Sequence, residues 1–87
     1  VKKPAKKTRK LIYDEDGLKL LACKLKEVRL KKGFTQEALA YESGLTLSQI
    51  ARIETIKINP TVSTMFRIAR TLKINVGDLF DFKLTDK

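Results

Sequence analysis

The 87-residue chain has room for one domain, and its 43% hydrophobic and 33% charged composition is that of a water-soluble globular protein. One cysteine and no histidine exclude an internal disulfide, the common zinc sites and nucleophile–histidine catalysis, so no metal, no cofactor and no enzymatic role is expected. The formal net charge is +9, which excludes no class of polyanionic partner. Residues 1–10, VKKPAKKTRK, hold six of the 19 basic groups and no acid, which suits DNA, RNA or an anionic membrane surface, and equally a solubilising terminus. No apolar run approaches the ~18 residues of a membrane span, and no apolar block opens the chain, so a cytoplasmic location away from membranes is expected.

In chain order, residues 1–13 lack any helical or strand period and read as a flexible basic arm. Asp14, Glu15 and Asp16 then open a first helix, where carboxylates suit the positive end of the helix dipole. Leu18, Leu21, Leu25 and Val28 place one apolar face on it, and Gly33 supplies a left-handed cap. Cys23 lies one residue from that stripe and reads as a packing residue rather than a reactive thiol. Thr35 caps a short second helix that ends at Ser43 before Gly44. Thr46 starts a third, in which Thr46 and Gln49 have the spacing of a capping box and Ile50 and Ile53 face inward, ending near Glu54.

A loop follows to Pro60, and Thr61 caps a fourth helix whose apolar residues are Val62, Met65, Ile68, Ala69 and Leu72. Asn75 opens a short fifth helix with Leu79, Phe80 and Phe82 on its apolar side. No segment alternates with period two, and no repeat is present. The expected fold is all-α with five helices, a domain spanning 14–82, and a tail at 83–87.

The segment from Gln36 to Glu54 carries the functional signal. Ala40 follows Gln36 by four residues, where two helices crossing closely require a small side chain. Gly44 comes four later, where the turn between them favours a residue tolerant of positive φ. Ile50 and Ile53 then occupy the inward positions of the following helix.

With these residues the chain resembles the phage-repressor and Cro type of helix-turn-helix, the XRE family. The resemblance is carried by Arg29, FTQEALAYESGL (34–45), SQIARIE (48–54), INPTVSTMFRIARTLKI (58–74) and VGDLF (76–80). It implies a third helix laid in the DNA major groove and a second crossing the backbone. Gln36 would bond a phosphate and brace the recognition helix. Leu47, Ser48 and Arg52 would read bases, with Arg52 able to grip guanine O6 and N7 and Leu47 a thymine methyl. Thr46 and Gln49 would lie near the backbone or groove edge, and Lys57 and Asn59 would contact phosphates. Arg29 is expected to pair with Glu54, partly buried.

One position departs from the family. The loop after the recognition helix commonly reads Glu-x-Gly-Lys, and here Ile56 stands at the glycine position, where positive φ is costly for a β-branched residue. The expectation is a longer third helix or a differently bent loop. The resemblance also implies a homodimer on half-sites about 34 Å apart. Leu79 and Phe80 are expected to close the core, leaving Phe82 for the interface. Three functions compete: a transcriptional regulator on double-stranded DNA, an antitoxin-like protein of the same fold, and a protein- or RNA-interaction module.

Overall fold

A computed structural model describes residues 12–84. The calls on segments 1–11 and 85–87, most of the arm and the end of the tail, lie outside the described residues. Five helices follow in order: α1 (Glu15–Lys31), α2 (Gln36–Ser43), α3 (Leu47–Glu54), α4 (Val62–Leu72) and α5 (Val76–Leu79). No strand occurs among the described residues, and no helix there is long and apolar enough to cross a membrane.

Each of the first four helices starts on a side-chain cap. Asp14 accepts from the Gly17 amide at 2.8 Å, Thr35 from Ala38 at 3.0 Å, Thr46 from Gln49 at 3.0 Å and Thr61 from Thr64 at 3.2 Å. These oxygens satisfy amides that have no partner one turn back. The same four helices end alike. A residue with positive φ follows each, and the amide after it reaches back five positions: Phe34 to Arg29, Leu45 to Ala40, Lys57 to Arg52 and Ile74 to Ala69. The left-handed residues are Gly33, Gly44, Ile56 and Lys73. This is the Schellman ending, which closes the last carbonyls of a helix and turns the chain sharply.

The core gathers Leu21 and Leu25 of α1, Leu39 and Ala40 of α2, Ile50 and Ile53 of α3, Met65, Ile68, Ala69 and Leu72 of α4, and Leu79 of α5. Leu18, Val28, Phe34 and Phe82 pack against it, half-buried. α2 rests on α3 and α4, α1 on α3 and α5, and α4 on α5, so α3 is held from two sides and keeps one face outward.

Four side chains depart from the sequence reading. Cys23 is exposed, because Ala22 takes the buried place on the α1 stripe. Val62 is 65% exposed: it is the first residue of α4, and the helix packs only from Met65 onward. Phe80 is also exposed while Phe82 is half-buried against the core, the reverse of their expected roles. The reason is that α5 ends at Leu79, and the Phe82 amide turns back onto the Phe80 carbonyl at 2.8 Å, so helical spacing no longer governs which face each ring takes.

Candidate nucleic-acid interface

The residues that position α3 form one buried network. Arg29 Nε donates to Glu54 Oε2 at 2.7 Å and its Nη2 to Oε1 at 3.1 Å, a two-pronged grip between α1 and the last residue of α3. Arg29 Nη1 also donates to the Phe34 carbonyl at 2.8 Å, tying in the link between α1 and α2. Gln36 Nε2, on the first turn of α2, donates to Glu54 Oε1 at 3.0 Å. The Arg29 and Glu54 side chains are 7% and 4% exposed, so water screens this pair little. No buried side-chain nitrogen or oxygen among the described residues lacks a partner.

At its other end α3 is fixed by a reciprocal pair. Thr46 Oγ1 accepts from the Gln49 amide, and Gln49 Oε1 accepts from the Thr46 amide at 2.9 Å. The turn before it is finished by a residue the sequence did not mark: Arg67 of α4 donates through Nη1 to the Ser43 carbonyl at 2.8 Å, closing the end of α2 beside Gly44. Its partner is 24 residues away, beyond the reach of any local spacing.

With both ends held, α3 presents Leu47, Ser48 and Arg52 outward, all exposed. Ser48 and Arg52 stand one turn apart, opposite the buried Ile50 and Ile53. Thr46 is exposed at the start of this row and Gln49 half-buried beside it. Gln36 adjoins the far end through Glu54. Lys57 is exposed just past α3, its amide bonded to the Arg52 carbonyl at 2.8 Å. Asn59 is exposed on the rim of an apolar groove of about 360 Å³ that also involves Leu21, Met65 and Phe80.

Ile56 follows neither expectation made for it. The third helix stops at Glu54, and Ile56 takes the left-handed conformation itself, with φ at 52°. The amides of Ile56 and Lys57 complete the Schellman ending, so the glycine-type turn is kept at the cost of strain in a β-branched residue. The Tyr13 hydroxyl donates to the Ile56 carbonyl, a bond spanning 43 residues of sequence and likewise invisible to local spacing.

The sequence profile of the helix-turn-helix family HTH_3 matches residues 25–79, and the chain belongs to that family. It is 37% identical over 59 residues to an uncharacterized HTH-type transcriptional regulator of Archaeoglobus fulgidus, an alignment covering 68% of this chain and 84% of that protein. It is 33% identical over 57 residues to the HTH-type transcriptional regulator PuuR of Escherichia coli, covering 66% of this chain but only 31% of PuuR. Among solved structures it is similar to the restriction-modification controller protein C.AhdI of Aeromonas hydrophila, with a TM-score of 0.71, 33% identity, and coverage of 72% of this chain and 96% of that one. The controller C.Esp1396I bound to a 19-base-pair DNA duplex matches with a TM-score of 0.68 and 34% identity, over 74% of this chain and 85% of its own.

Proposed function

We propose that the protein is a transcriptional regulator that binds double-stranded DNA sequence-specifically as a homodimer, with α3 in the major groove. The observation that carries this reading is the exposed row Leu47, Ser48 and Arg52 on a helix whose inner face is locked by Arg29, Glu54 and Gln36. A groove-reading helix gains from such fixing, because less ordering cost is met on binding.

Arg52 is the guanine reader, Leu47 meets a thymine methyl, and Ser48 bonds a base edge between them. Gln36 gives one amide hydrogen to Glu54 and has a second for a phosphate oxygen. Gln49 keeps its amide NH2 for the groove edge while its oxygen serves Thr46. Thr46, Lys57 and Asn59 complete the backbone contacts. The second copy docks on the exposed apolar residues Val62, Phe66 and Phe80; Val62 and Phe80 line one groove, and Phe66 lies a turn beyond Val62.

Selection from a random duplex library tests the whole reading. The expected result is an inverted repeat with half-sites about one helical turn apart. Arg52→Ala is expected to weaken binding to that site by ~1–3 kcal/mol and relax one base position. Enrichment of no motif, or equal loss on selected and random duplexes, would count against it.

A further inference from the structure

Of the four left-handed residues among those described, Ile56 alone is β-branched; two are glycines and the other, Lys73, is unbranched at Cβ. Left-handed backbone crowds a branched side chain most, so Ile56 has the strongest tendency of the four to leave its turn. Both of its torsions lie between α3 and the peptide unit that joins it to Lys57. A return of Ile56 to the extended region therefore swings that peptide away from the end of α3.

The peptide is held at both ends. Its N–H, on Lys57, donates to the Arg52 carbonyl at 2.8 Å, and its C=O, on Ile56, accepts from the Tyr13 hydroxyl. One partner belongs to α3, and the other stands just before Asp14, the cap of α1. Because a peptide unit is planar, bonds to its two ends fix its orientation. The exposed Lys57 side chain leaves the backbone from this plane, five residues past Arg52.

We propose that Tyr13 is a positioning residue for DNA binding: it holds the Ile56–Lys57 peptide in its strained turn and so keeps the Lys57 ammonium in place for a phosphate beside the α3 row. The inference rests on the reading of Lys57 as a phosphate contact, and Tyr13 acts through Lys57 rather than on the DNA. A lysine on a phosphate adds affinity and salt dependence without base preference, and the same signature is expected of the residue that positions it.

The test uses the full chain. Tyr13→Phe removes the hydroxyl and keeps the ring. Without DNA, amide hydrogen exchange at Lys57 is expected to speed up in Y13F, while exchange at Ile50 and Ile53 stays near the parent's. On the duplex obtained by selection, binding is followed by fluorescence anisotropy across a salt series. In K57Q the slope of log K against log salt should fall by roughly 0.9, the share of one phosphate, and Y13F should move it in the same direction. Y13F/K57Q should bind no more weakly than K57Q. Ile56→Gly accepts the left-handed turn without strain, so Y13F/I56G should bind like I56G. The selected motif should be the parent's in every variant. A folded Y13F protein with a lower melting temperature but parental affinity and slope would assign the bond to stability alone and overturn the proposal. A loss on Y13F that persists in full in the K57Q background also overturns it, as does a K57Q protein with the parental slope. All three results leave sequence-specific DNA binding intact, whereas a parent protein with no sequence preference overturns both.

Discussion

Arg29 makes three hydrogen bonds to two different segments from a position that is 5% exposed. Removing it would leave the Glu54 carboxylate buried with only Gln36 as partner. Arg29→Ala is therefore expected to cost about 3–5 kcal/mol, the usual penalty for stranding one member of a buried pair. For a domain with a total stability of roughly 5–15 kcal/mol that is a large share, and urea unfolding would reveal it as a lower midpoint with little change in slope. The left-handed positions allow a second comparison. A Cβ at Gly33 would meet nothing within 4 Å, while one at Gly44 would lie 2.8 Å from Arg67 Nη1. Gly33→Ala is expected to cost the backbone strain alone, about 1–2 kcal/mol. Gly44→Ala should cost about 1 kcal/mol more, because the Arg67 bond to the Ser43 carbonyl must shift. In an Arg67→Ala background the two glycine substitutions should come out equal in thermal melts.

At the level of elements, the helix starts were written plainly in the sequence. Thr35, Thr46 and Thr61 cap as their positions indicated, because a cap is decided by atoms within three residues. Thr46→Ala removes one half of a reciprocal pair and is expected to destabilise the protein by about 1 kcal/mol. Amide hydrogen exchange at Gln49, whose N–H donates to the lost hydroxyl, should speed up more than exchange elsewhere in α3. The core stripes and the Arg29–Glu54 pair were legible too, the first from spacing and the second from family resemblance. What escaped has a common physical origin. The bonds of Tyr13 to Ile56 and Arg67 to Ser43 depend on how distant segments meet. Phe80 and Phe82 exchanged roles because helical periodicity stops with α5. Ile56 kept a glycine's conformation because the Schellman bonds on either side hold it there, and composition alone gives no sign of that. For the candidate interface, the outward row on α3 was readable from its spacing opposite Ile50 and Ile53.

On the scale of the whole molecule, two faces stand out. One bears the α3 row, and the other the apolar groove between α1, α4 and α5, where Val62 and Phe80 are 65% and 46% exposed. Contiguous exposed apolar surface on a small domain marks an association surface. Phe80→Asp is expected to leave the fold intact, since the ring lies at the surface, and to shift sedimentation toward the mass of a single chain. The same change should weaken binding to a two-half-site duplex far more than to an isolated half-site. The Arg29–Glu54–Gln36 network shares no residue with Leu47, Ser48 and Arg52, although both belong to or touch one eight-residue helix. Address and scaffold are thus separable within two turns of chain. If the outward row reads bases as proposed, substitutions along it are expected to change the target while the melting temperature stays nearly constant, so a lineage built on this framework would diverge in specificity without first acquiring spare stability.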